Sequence, residues 1–208
     1  MEPFTRLRAP AVALGASNID TDQIIPARFL RKPRAGGYQD FAFHDLRFDA
    51  EGRPRPEFPL NFPAAKGARI LVAGRNFGCG SSREGAVYAL YDWGIRAVIA
   101  PSIADIFANN SVQNGLLPVI LPEAAVNGLM RVLADGPGID LTVDLERQEV
   151  EAPDGTAHRF DIDPSRRHAL LNGLDDIAMT RRHLAEVDAF ERALEAGRPW
   201  MTPANETA

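Results

Sequence analysis

Residues 74–84, Gly-Arg-Asn-Phe-Gly-Cys-Gly-Ser-Ser-Arg-Glu, set two adjacent hydroxyls, Ser81 and Ser82, beside a guanidinium, Arg83. The segment follows the largely apolar run 68–73 and precedes a helical pattern, so it reads as a strand-to-helix turn. Backbone N–H groups at a helix start are unpaired and carry partial positive charge, which draws anions to such turns. A fixed cation next to a hydroxyl could then hold a carboxylate beside a proton-accepting oxygen. Ser81-x-x-Glu84 also fits a capping box, hydroxyl first and glutamate three residues on. The box is either structural only or, because an N–H donated to the capping Oγ would favour its alkoxide, a means of making a capped serine beside Arg83 a base in a desolvated site. Gly74, Gly78 and Gly80 would let the backbone approach a ligand. No Gly-Lys-Ser/Thr follows, which excludes a phosphate-binding P-loop, and the Gly-x-Ser-x-Gly elbow of hydrolases is absent.

Two further polar knots accompany this turn. Asp20, Thr21 and Asp22, after Asn18, could offer carboxylates to a hard cation, but two carboxylates without other ligands make a poor metal site. An Asx turn and helix cap is the plainer reading, and no metal is assigned. Asn109, Asn110 and Ser111, with Gln113 and Asn114, read as local caps at a helix end. Cys79 is the one cysteine. It cannot form an internal disulfide, which fits a reducing, cytoplasmic setting, nor can it hold an iron–sulfur cluster alone. None of the four histidines, His44, His158, His168 and His183, pairs with it locally, so a thiol enzyme is disfavoured.

The elements that must position these groups follow from periodicity. Segments 69–73, 96–100 and 116–121 read as strands alternating with helices, which implies right-handed crossovers and a parallel sheet. Ala86, Ala89, Leu90 and Trp93 mark the first helix, stopped by Gly94. Ser102 is expected to open the second, which Gly115 ends, and residues 122–135 read as the third. An apolar N-terminal segment reads as a short strand. Residues 26–63 form a long irregular stretch, and connections of that length are usually functional or mobile. Beyond Gly138 come short strands, 140–144, 148–151 and 158–161, with a turn at Pro153-Asp154-Gly155. Leu184, Val187, Phe190 and Leu194 then give an apolar helical stripe. The expected organisation is one domain over 1–200 and a flexible tail over 201–208.

Composition bounds the partners. The 208 residues carry a net charge of −5 and no basic stretch with interleaved aromatics, which argues against nucleic acid. No apolar run approaches the ~20 residues of a membrane span. Residues 9–16 could pass for a secretion signal, but Glu2 lies ahead of them and Pro10 within.

Taken together, residues 18–30, 74–84 and 108–118 closely resemble the small-subunit family of 3-isopropylmalate dehydratases, in the aconitase superfamily. The likeness runs from about Asn18 to Trp200, and the 74–84 motif shows no departure from the family. It implies an α/β fold: a swivelling β/β/α domain, like the last domain of aconitase, with a partly parallel sheet flanked by helices. It implies a large-subunit partner carrying a [4Fe–4S] cluster whose open iron binds a small dicarboxylate, and no cofactor in this chain. By the same likeness Ser81 is the base, Arg83 clamps a substrate carboxylate and Ser82 donates a hydrogen bond. Asp20, Thr21 and Asp22 line the other side of the cleft or support it, and the loop containing Arg28, Phe29, Leu30 and Arg31 selects the substrate side chain. The expected activity is a hydro-lyase isomerising 2-isopropylmalate in leucine biosynthesis, in the heterodimer only. Homoaconitate or citraconate/2-methylmalate as substrate, or a non-catalytic anion-binding assembly module, are the alternatives.

Overall fold

The computed structural model describes residues 1–134 and 138–201. Seven strands form one mixed sheet: β1 (Arg6–Leu14), β2 (Ile70–Ala73), β3 (Ala97–Ala100), β4 (Leu117–Ile120), β5 (Asp140–Asp144), β6 (Glu149–Glu151) and β7 (Ala157–Arg159). Their order across the sheet is β4-β3-β2-β1-β5-β6-β7. The expected parallel half is present, with β1, β2, β3 and β4 paired in parallel. The N-terminal strand is longer than its sequence suggests and divides the sheet. On its other edge it pairs antiparallel with β5, Ala9 opposite Leu141, and β6 and β7 follow antiparallel.

Side chains of the two central parallel strands, β2 and β3, are buried on both faces, as a covered sheet requires. Alternation divides them. Leu71, Ala73, Val98 and Ala100 join a core beneath α3 (Glu84–Trp93) and α4 (Asp105–Gln113). Ile70, Val72, Ala97 and Ile99 face a second core completed by α5 (Glu123–Ala134), the antiparallel strands and α6 (Pro164–Asn172). Gly94 ends α3 in the left-handed conformation, as its position predicts. The sequence-predicted helix 122–135 is α5, and Asp135 lies outside the described residues.

The stretch 26–63 is more ordered than its lack of periodicity implied. It contains several single 3-10 turns and one short helix, His44–Arg47, and it buries Tyr38, Ala42, Phe43 and Leu60 in the first core. Prolines and glycines recur along it and interrupt any helix, and burial of scattered aromatics holds it instead. The remaining helices are Thr21–Ile24, Asp176–Arg181 and Leu184–Gly197. Renumbered in chain order with those above, Thr21–Ile24 is α1, His44–Arg47 is α2, Asp176–Arg181 is α7 and Leu184–Gly197 is α8. Of the expected tail, 202–208 lie outside the described residues, and Met201 closes a last 3-10 turn. No helix among the described residues is long and apolar enough to cross a membrane.

Candidate functional site

The three polar segments of the sequence meet at one end of the parallel strands. After β2 the chain doubles back beside residues 18–21. The Asn18 N–H donates to the Arg75 carbonyl at 2.8 Å, Gly78 to Ile19 at 2.8 Å, and Thr21 to Cys79 at 2.9 Å. The Thr21 hydroxyl, almost fully buried, donates to the carbonyl of Ser81 at 2.9 Å. On the opposite side, Phe77 donates to the Ser102 carbonyl and accepts from the Ala104 N–H, while the Ser102 hydroxyl accepts the Asn76 N–H at 2.8 Å. The 74–82 turn is thus an extra strand-like segment clamped on both edges.

That clamping corrects the expected cap. Helix α3 begins at Glu84 with Arg83 as its N-cap and no side-chain cap. Ser81 therefore stands two residues ahead of the cap, is exposed, and receives no helix N–H. Glu84 instead accepts from the Asn114 side chain at 3.0 Å, at the end of α4. The capping box of this region belongs to Asp20 and Gln23. The Gln23 N–H donates to the Asp20 carboxylate at 2.7 Å, and the Asp20 N–H to the Gln23 side chain at 2.9 Å. The plainer reading of Asp20, a helix cap, holds. Likewise Ser102 does not open the second helix: α4 starts at Asp105 because the Ser102 hydroxyl is spent on the turn.

A cleft of about 260 Å³ opens where these segments converge. Ser81, Arg83, Thr21, Gly80, Asp105 and Asn110 are on its walls. Arg83 pairs with the carboxylate of Asp22, and its side chain is only 18% exposed while Asp22 is 52% exposed. A guanidinium held so low in a wall is oriented, and its planar fork matches a carboxylate in two-point fashion. Gly78 is what allows the approach of α4. Its φ is +72°, and a Cβ there would lie 2.3 Å from the Phe107 ring. Gly85, in the first turn of α3, gives the same clearance to Leu30, 2.7 Å from where a Cβ would stand.

Ser82 is exposed and does not line the cleft. Nor do Arg28, Phe29, Leu30 and Arg31, the expected selecting loop. Arg28 is engaged by Asp45 and His44, Phe29 stacks on Phe41 with centroids 4.4 Å apart, Leu30 packs over Gly85, and Arg31 is exposed. The hydrogen bonds from Arg28 hold the Asp45 carboxyl down at about 2, against a smaller opposing effect of burial. Residue reasoning did not single out Asp105 or Asn110 as cleft-lining; Asn110 was read as a local cap. An Asn run inside a helix is weakly helix-forming, and that was the available signal.

For a metal, the described residues contain no group of three His, Cys, Asp or Glu side chains suited to hold an ion. With a single cysteine in the sequence, the chain has no ligand set for an iron–sulfur cluster.

Residues 1–124 match the family model described as aconitase C-terminal domain, and residues 128–164 match the LeuD_N model. The chain is 49% identical to the 3-isopropylmalate dehydratase small subunit of Parvibaculum lavamentivorans, over 97% of this chain and all of that one. It is 50% identical to the protein of the same name from Phenylobacterium zucineum, over 97% and 98%. A crystal structure of 3-isopropylmalate dehydratase from the archaeon Methanocaldococcus jannaschii superposes with a TM-score of 0.65 at 29% identity, covering 88% of this chain and 99% of that one.

Proposed function

The chain belongs to the family of 3-isopropylmalate dehydratase small subunits, and from that premise we propose that it supplies one wall of a hydro-lyase active site which a large subunit completes. The reaction moves a hydroxyl between neighbouring carbons of 2-isopropylmalate, by loss and return of water, in leucine biosynthesis. The fold is the α/β arrangement of the aconitase C-terminal domain, and residues 1–200 act as one domain.

The chemistry asks this wall for two things. A proton must leave a carbon next to a carboxylate, a weakly acidic position, and the charge that accumulates on that carboxylate must be held. Arg83 answers the second need, because its guanidinium keeps its charge, lies on the cleft wall and is held by its pairing with Asp22. Ser81 answers the first: its side chain stands open in the same cleft, with its own carbonyl pinned by Thr21. Exposed as it is here, the hydroxyl receives no hydrogen bond that would make it basic. Proton removal therefore requires the closed, water-free complex, and the chain alone is inactive. Thr21 and Asp22 act as supports, and Asp20 as the cap that fixes them. Ser82 and the loop Arg28–Arg31 reach substrate only after closure. The cluster has no ligands in this chain, and we assign it to the large subunit.

The observation that carries this reading is the sharing of one cleft by Ser81 and the oriented Arg83. The test is Ser81→Ala in the reconstituted heterodimer with 2-isopropylmalate. Turnover should fall about 1,000-fold, within the range for loss of a positioned base, while the fold and the affinity for the large subunit stay unchanged. Unaltered turnover would remove Ser81 from the chemistry and favour an anion-binding assembly role. Parallel assays with homoaconitate and 2-methylmalate fix the substrate.

A further inference from the structure

The longest helix among the described residues, α8, is formed but not packed. None of the side chains of α8 is buried, and Leu184, Val187 and Phe190 are 49%, 39% and 67% exposed. At about 3.6 residues per turn these three and Leu194 fall on one stripe. A fourteen-residue helix is marginal by itself in water, because most helical stability comes from burying such a face. Among the described residues nothing covers it. Residues 202–208, Thr-Pro-Ala-Asn-Glu-Thr-Ala, offer no apolar side chain larger than proline to do so.

Charge and position on the fold identify the occupant. Glu186 borders the stripe on the Phe190 side, and Glu191, Glu195 and Asp188 lie on the Leu184 side, with the one cation of the helix, Arg192, beyond them. Two copies of α8 laid stripe to stripe would bring carboxylates together along the seam, which opposes self-pairing. An apolar groove rimmed by lysine or arginine would complement them. The helical arm is also fastened to the cleft wall. The Gln113 side chain, at the end of α4, donates to Asp176 of α7 at 2.7 Å, and Arg166 of α6 donates to Asn109 of α4. Asn110 of that same helix lines the cleft. Through α4 the arm is thus tied to the helix that forms part of the cleft.

We propose that α8 is the grip by which this chain holds its large subunit, with the Leu184–Val187–Phe190–Leu194 stripe seated in an apolar groove rimmed by basic side chains. This rests on the reading that the chain works with a large subunit, and it adds where the two are joined.

The experiment titrates the full chain against the cluster-loaded large subunit, prepared without air, and measures Kd and turnover. The double variant Val187→Glu, Phe190→Glu should bind about 30-fold more weakly or worse, as for loss of central apolar anchors. Turnover at saturating small subunit should be unchanged, and so should the circular dichroism and melting midpoint of the chain alone, since both positions are exposed. Glu186→Lys with Glu191→Lys should also weaken binding, by facing like charge. An unchanged Kd in the apolar double variant overturns the proposal. So does tighter binding by the lysine variant, or a wild-type chain that sediments alone as a dimer which the apolar double variant dissolves. Ser81→Ala separates the two readings: it should keep the wild-type Kd. If it also keeps full turnover, the catalytic reading falls while the grip stands. If the α8 variants bind normally while Ser81→Ala is inactive, only the grip falls.

Discussion

The hydroxyl of Thr21 donates to the carbonyl of Ser81 at 2.9 Å, joining residues 60 apart in sequence at the floor of the cleft. This bond fixes the turn that carries Ser81, the proposed base, and it comes from a residue that is 2% exposed. Thr21→Val keeps the shape and leaves the Ser81 carbonyl without this partner. It should cost about 1 kcal/mol of stability in urea unfolding and about tenfold in kcat/KM of the reconstituted enzyme, through misplacement of the hydroxyl. Thr21→Ser should restore most of both. A valine variant with wild-type kcat/KM would show that the turn holds its geometry without the bond.

Arg83→Lys tests the fork rather than the charge. Lysine retains the cation but loses two-point contact with a carboxylate. We expect kcat/KM to drop about 100-fold with little change in melting temperature. A lysine variant within threefold of wild type would mean that charge alone suffices.

Asp20 discriminates support from substrate contact. Asparagine caps a helix as well as aspartate does, whereas alanine loses about 1 kcal/mol. Since the Asp20 carboxylate is spent on the Gln23 N–H, Asp20→Asn should retain both stability and turnover, and Asp20→Ala should lose stability first. Activity lost in Asp20→Asn at unchanged stability would move this carboxylate to the substrate.

Those residues show what the sequence could and could not reveal. Parallel strands were legible because β2 and β3 are continuous apolar runs separated by a helical period, and the turn 74–84 was legible by its residue types. Which side chain caps which helix was not. Ser81-x-x-Glu84 and Asp20-x-x-Gln23 are equally good local patterns, and the choice was made by pairing between Asp20 and Cys79, a contact distant in sequence. Likewise 26–63 lacks a period because its order comes from aromatics packed one at a time, such as Phe43 against Phe58 with centroids 5.9 Å apart. The stripe of α8 was readable as a helix face, but nothing local says that this chain leaves it uncovered.

Gly78→Ala probes the approach of α4. With φ at +72° and the new Cβ 2.3 Å from the Phe107 ring, both backbone and packing resist the change. The expected loss is about 2–4 kcal/mol in chemical denaturation. A loss below ~1 kcal/mol would show that α4 is free to shift.

Strong acid should release the pairing between Arg28 and Asp45 of α2. Asp45 is held ionised down to about 2 by the hydrogen bonds from Arg28. A carboxyl depressed in the fold stabilises above its unfolded value, near ~3.9, and that contribution disappears as pH falls through about 2. The pair is half exposed, 54% for each side chain, so the contribution is under about 1 kcal/mol. Wild type should exceed Asp45→Asn in urea-unfolding stability at pH 7 by that small margin, with the two curves converging in strong acid. A margin that persists undiminished at pH 2 would mean that the pairing does not titrate as described.

The central place of β1 has a consequence for biosynthesis. β1 leaves the ribosome ahead of both its neighbours, β2 on one edge and β5 on the other, and β5 begins only at Asp140. Until then its apolar alternation lies along an open edge that invites wrong partners. Such long-range closure slows folding, so translation that stalls before β5 should yield insoluble protein, whereas a stop after β7 leaves the sheet complete.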